Sequence, residues 1–344
     1  MNLRDKIGQL FILGFQGSST AKGDAIAEDI TRRNLGGVIL FDRFIAEKRN
    51  IHNITSPQQV QQLCTELQSL SPTELLISID QEGGMVRRLK PKEGFPDLPS
   101  AAHMADTQND FEESRYHADK TGKLLAELGI NLNFAPVADL KVNPLNPIIG
   151  KIDRSFSRDP EAVGKHCEIW LDSMQNYGVL GCVKHFPGHG SSTGDSHKQF
   201  VDISSTWIED ELLPYQYLLS QKKVHAIMAG HLFHKDFDQQ HPASLSENFI
   251  EGILRRKLNY TGIVITDDMQ MRGITDRYGL LDAFVLALSA GVDIIVVGNN
   301  IEYDPDILKK AINYIEKSIE QGRLTIERIE QSYARVKMTK EQLL

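Results

Sequence analysis

The sequence has no Lys/Arg block, no long apolar run and only three cysteines, and each scarcity removes a class of protein. Without a basic stretch, and with a formal net charge of −8, nucleic acid is not an expected partner. No apolar run approaches the roughly eighteen residues that a membrane span needs. The most apolar stretch, residues 283–298, is interrupted by Asp293. The first ten residues lack a signal-peptide hydrophobic region followed by a small-residue cleavage site. Cys64, Cys167 and Cys182 are odd in number and widely spaced, which favours a reducing compartment over a disulfide framework. There is no low-complexity tract. These absences point to a soluble cytoplasmic protein, expected to be a monomer, without a membrane or nucleic-acid partner.

What is present suffices for a large core. Of 344 residues, 41% are hydrophobic and 24% charged, ordinary for a globular chain. Short apolar runs recur at residues 10–15, 38–41, 75–79, 131–137, 179–183, 226–229, 262–266 and 292–297. Helical patterns fall between most of them, at 56–70, 112–128, 160–177, 208–219, 246–258 and 280–290. Pro214 marks a kink or break in the fourth. Leu308, Ile312, Ile315 and Ile319 share one helical face, and Ile326, Ile329, Tyr333 and Val336 another. Eight strands alternating with helices favour a parallel sheet, and one composition regime throughout favours a single (β/α)8 barrel over a doubly wound open sheet. Barrel chemistry sits at the C-terminal strand ends. There the chain offers Asp80, Asp139, Lys184 with His185, His231 and Asp267.

Residues 184–197 stand out. The strand over 179–183 is expected to end at Lys184 and open into a loop with three histidines, an aspartate, a lysine and three glycines in fourteen residues. Two chemistries compete for it. His185, His189, Asp195 and His197 could ligate a metal, but their spacing matches no familiar zinc signature and no cysteine joins them. Alternatively, Asp195 and His197 form an acid/base pair. A carboxylate two residues away holds one imidazole nitrogen and leaves the other free, which places a proton donor near neutral pH.

Four stretches resemble the family 3 glycoside hydrolases, specifically their bacterial β-N-acetylglucosaminidases: Asp80-Gln81-Glu82-Gly83-Gly84, Arg154-Ser155-Phe156, Lys184 through His197, and Ile265-Thr266-Asp267-Asp268-Met269. The third is the specific one. The resemblance implies a single barrel domain over residues 1–344, with the proton donor on a barrel loop rather than on a second domain. It also implies Asp267 as nucleophile, His197 as general acid/base with Asp195 orienting it, and Asp80, Arg88, Arg154, Lys184 and His185 as sugar-binding residues. Asp268 is then a carboxylate that caps the following segment or binds an arginine. His231 is expected to line the pocket, or else to be a satisfied core histidine. One departure is Met85, where the family usually has arginine after the Gly-Gly pair.

The implied reaction is removal of a terminal β-linked N-acetylglucosamine with retained configuration, the natural substrates being cell-wall muropeptides, with no metal or organic cofactor. A histidine, with an ordinary pKa of about 6.5, would replace the usual carboxylic acid donor. The glycine-rich loop is expected to move between the two steps. Competing expectations are a β-glucosidase or an N-acetylglucosamine phosphorylase on the same barrel, nucleophilic help from the substrate's own acetamido group, a metal-dependent hydrolase, and a sugar-binding barrel without catalysis.

Overall fold

The computed structural model describes residues 1–20, 24–106 and 111–343. Eight strands close into a barrel: β1 (Phe11–Gly14), β2 (Gly37–Leu40), β3 (Leu76–Ile79), β4 (Leu132–Asn133), β5 (Leu180–Phe186), β6 (Ala226–Ala229), β7 (Ile263–Asp268) and β8 (Ile294–Val297). Each pairs in parallel with the next, and β1 closes on β8 through Ile12 opposite Val296. Apart from Asp267 and Asp268 at the end of β7, the strand residues are buried. That is why the strands read as continuous β-branched runs rather than as alternating patterns. Burying each Val, Ile or Leu contributes about 1.5–3 kcal/mol, and one contiguous core links barrel and helices. The (β/α)8 expectation therefore holds, with the strands in sequence order.

Three boundaries differ from the sequence reading for physical reasons. The fourth strand, expected over 131–137, keeps only Leu132–Asn133, because Pro136 has no N–H to give the ladder. The fifth runs past its expected end at Val183 to Phe186. Lys184 and His185 are thus strand residues, tolerated inside because every charge is paired. The expected helix over 208–219 resolves into a 3-10 turn, Glu209–Leu212, followed by a helix, Leu213–Ser220, with Pro214 in its first turn, where no hydrogen bond is lost. Two small ribbons extend the mouth: Gln81–Gly83 with Val86–Arg87, and Val201–Asp202 with Leu232–Phe233.

Candidate active site

The strand ends gather the charged residues into one connected network. Asp80, just past β3, accepts hydrogen bonds from Lys184 Nζ at 2.8 Å and from Arg88 at 3.0 Å. Lys184 is only 2% exposed and also reaches Glu82 at 2.7 Å. Glu82 in turn accepts the fork of Arg154, Nε at 2.7 Å and the terminal nitrogen at 2.8 Å, the bidentate geometry in which arginine binds carboxylates best. Arg154 continues to His185 Nε2 at 3.2 Å. His185 Nδ1 lies 2.7 Å from Asp139 Oδ2, and Asp139 also accepts the backbone N–H groups of His185 and His189. Burial alone would raise the pKa of Asp80, but Lys184 and Arg88 outweigh it and hold the carboxyl well below its ordinary range. Glu82 is likewise lowered by Arg154 and Lys184 against the cost of burial. Burial would lower Lys184, and Asp80 and Glu82 raise it instead.

Five residues expected to bind sugar, Asp80, Arg88, Arg154, Lys184 and His185, thus belong to one connected chain of ion pairs and hydrogen bonds. Glu82 and Asp139 complete it. Glu82 sits inside the Asp80–Gly84 motif, yet the sequence reading assigned it no role; a glutamate two residues from an aspartate carries no sign of which arginine it will meet. Arg87 turns away to the carbonyl of Leu98 and to Asp97, while Arg88 joins the network. Met85 is 74% exposed at the tip of the ribbon, outside the network.

Two adjacent carboxylates end β7. Asp267 accepts only the backbone N–H of Asp268, at 2.8 Å, among the described residues. Burial would raise its pKa, but the imidazoles of His231, His185 and His197 lower it below the ordinary value. Asp268 bonds to the N–H groups of Gln270 and Gly298 at 3.0 and 2.9 Å, the capping role foreseen for it. Burial pushes it up to about 6. His231 is fully buried. Its Nδ1 meets Ser244 Oγ at 2.7 Å, and its Nε2 donates to the carbonyl of Asp268 at 3.0 Å. Both nitrogens are committed, as in a satisfied core histidine that supports the strand end.

The loop after β5 returns the acid/base pair to this strand end. Asp195 Oδ1 accepts both the backbone N–H of His197, at 3.0 Å, and its Nδ1–H, at 2.9 Å. The His197 side chain is 54% exposed, and its Nε2 has no protein partner among the described residues. Burial by surrounding protein would lower its pKa; the bond to Asp195 and the charge of Asp267 raise it above the ordinary value. The same bond draws Asp195 down to about 2. The metal alternative fits poorly. Among the described residues no group of three His, Cys, Asp or Glu side chains is arranged to hold a metal ion; His185 and His189 are spent on Asp139, Arg154 and serine hydroxyls.

A parallel eight-stranded barrel with an aspartate held below and an imidazole held above its ordinary pKa at its mouth, beside a floor of paired charges, has the build of an α/β-barrel glycoside hydrolase. The comparisons agree. Residues 2–339 match the Glycosyl hydrolase family 3 N terminal domain, and the chain belongs to that family. It is 32% identical over 336 residues to beta-hexosaminidase A of Pseudoalteromonas piscicida, covering 92% of this chain and 55% of that protein. It is 34% identical over 301 residues to the beta-hexosaminidase of Thiobacillus denitrificans, covering 84% and 79%. A glycoside hydrolase family 3 beta-N-acetylglucosaminidase from Paenibacillus superposes with a TM-score of 0.88 at 35% identity, over 100% of this chain and 63% of that one. The chain therefore spans about half of the first relative and about four-fifths of the second.

Proposed function

We propose that the protein is a retaining exo-β-N-acetylglucosaminidase in which Asp267 attacks the anomeric carbon while His197 Nε2–H protonates the departing oxygen. Water then resolves the glycosyl-aspartate, with His197 accepting its proton. The observation that carries this reading is the pair of opposite shifts at one strand end: Asp267 is lowered toward a nucleophile and His197 is raised toward an acid. Environments that push two groups apart in this way mark acid and nucleophile roles. Once His197 has given up its proton it is neutral and does not repel Asp267. The paired floor, Asp80, Arg88, Lys184, Arg154 and His185, binds the hydroxyls of the terminal sugar, because charge-assisted hydrogen bonds outcompete neutral ones. The names of the family relatives favour N-acetylglucosamine over glucose. We place the natural substrate among muropeptides in a cytoplasmic recycling step, a setting compatible with three buried free thiols.

The test is release of 4-nitrophenol from the N-acetyl-β-glucosaminide beside the β-glucoside, with and without inorganic phosphate, for wild type and Asp267→Ala. Turnover of the first substrate only, independent of phosphate and reduced at least about 10³-fold by the mutation, is expected. Mass spectrometry of enzyme treated with an activated 5-fluoro-N-acetylglucosaminyl donor should show an adduct on Asp267. Equal activity in Asp267→Ala, or no adduct, would overturn the nucleophile assignment.

A further inference from the structure

The acid/base pair rides on a segment, residues 193–199, that is partly open to solvent. Thr193, His197, Lys198 and Gln199 are exposed, and Asp195 is partly so. Gly194 and Ser196 are buried, and Ser196, between the two functional residues, is only 1% exposed. Its side chain points inward to His189 Nε2, at 3.3 Å. Its carbonyl accepts the N–H of Gly273 at 3.0 Å. These two contacts reach different parts of the site. Gly273 is the second residue of the short helix Arg272–Thr275 that follows β7, the strand carrying Asp267. His189 belongs to the root of the same loop, where its Nδ1 meets Ser192 Oγ at 2.6 Å and its backbone N–H donates to Asp139 at 2.7 Å. Asp139 also holds His185 on the sugar side.

We propose that Ser196 is a positioning residue that docks the acid/base segment, fixing His197 relative to Asp267 through Gly273 and relative to the sugar floor through His189 and Asp139. The inference rests on the assignment of His197 as proton donor. Thr193, His197, Lys198 and Gln199 are turned to solvent, so the height of the imidazole over the leaving oxygen depends on how the inward residue beside it is held. A placement error of about 1 Å can cost a large part of a general acid's contribution. The root of the loop is held independently: Glu211 accepts the N–H groups of Gly190 and Ser191, and Asn146 donates to the carbonyl of His189. Undocking Ser196 therefore loosens the tip and leaves the sugar floor in place.

Two small substitutions disturb the dock from opposite sides. Ser196→Ala removes the hydroxyl that meets His189. Gly273→Ala adds a methyl group 3.2 Å from the Ser196 carbonyl oxygen and 3.2 Å from His231 Cβ, close enough to push the segment outward. The readout is kcat/KM across aryl N-acetyl-β-glucosaminides of different leaving-group acidity. Acid help matters for a poor leaving group and hardly at all for 2,4-dinitrophenolate. Both variants should lose about tenfold on the 4-methylumbelliferyl substrate and under about twofold on the dinitrophenyl one. His197→Ala should show the same slope, only steeper. Amide hydrogen exchange should quicken over residues 193–199 alone, which separates a loosened tip from general unfolding. An equal loss on both substrates, or none, in folded Ser196→Ala would overturn the dock. A flat profile in His197→Ala would instead remove the proton-donor assignment, and the dock with it.

Discussion

Asp267 and Asp268 are neighbours at one strand end and experience opposite fields. Both are partly buried, but Asp267 looks toward three imidazoles, whereas Asp268 is turned back onto backbone N–H groups. Their order in the chain could not reveal which way each side chain turns; the alternation of a strand decides it. His197 offers a direct test of the neighbouring dyad. An imidazole held above its ordinary pKa stays protonated to higher pH, so the bond to Asp195 extends the alkaline side of the activity profile. Asp195→Asn should move that alkaline limb of kcat/KM to lower pH and cut the maximum by about 10-fold or more. An unmoved limb would mean that another group donates the proton. Motif resemblance singled out Asp267, Asp195 and His197, the residues to which the proposed roles fall. Ser196 and Glu82 were not legible as participants, since their importance lies in what they face across the fold.

The central element is the loop that leaves β5, and its root is unusually fixed. Gly190 packs so close to the carbonyl of Leu140 that a Cβ would lie 1.7 Å from the oxygen, so any larger residue would displace the turn. On its other side Glu211 is fully buried, with Oε2 on two loop amides and Oε1 without a partner among the described residues. Burial pushes Glu211 up to about 7, and the charge of Asp139 adds to this. The folded state therefore holds a proton that the unfolded chain loses above its carboxyl pKa of 4.5. Stability from this group is full below about pH 4.5 and declines as pH rises toward 7. Glu211→Gln keeps an acceptor for both amides and removes the proton. Its melting temperature relative to wild type should rise between pH 5 and pH 8; a constant difference would show that Glu211 does not titrate there. The strands and most helices could be read from β-branched runs and helical periodicity. The extension of β5 through Lys184 and His185 could not, because a lysine inside a barrel is permitted only by the carboxylates that long-range folding brings to it.

At the scale of the whole molecule the two barrel ends divide the work. The C-terminal end carries the network and the dyad, whereas the N-terminal end is closed by charges with no part in the chemistry. There Asp293 gathers Arg255, Arg328 and Arg335. Lys340, on the last helix, Ile326–Glu341, donates to Gln9 Oε1 and to the carbonyl of Gly36 at 2.8 and 2.7 Å, tying the end of the chain to the first two strands. Burial lowers Lys340 to about 7 from 10.5. Between those values the unfolded chain binds the extra proton, so wild type should gain stability as pH rises from 7 toward 10. Lys340→Met should lack that gain, and urea midpoints at pH 7 and 9.5 for the two proteins check it. A gap that stays the same at both pH values would show that Lys340 keeps its ordinary pKa.

The paired network from Arg88 through Asp80, Lys184, Glu82 and Arg154 to His185 has a consequence for how the proposed sugar preference can change. Asp80, Lys184 and Glu82 each answer two charged neighbours, so exchanging one of them strands a charge on either side and costs about 3–5 kcal/mol. Altering which hydroxyls the pocket accepts therefore requires residues to be exchanged in linked pairs, and libraries that vary one floor position at a time should return mostly unfolded protein.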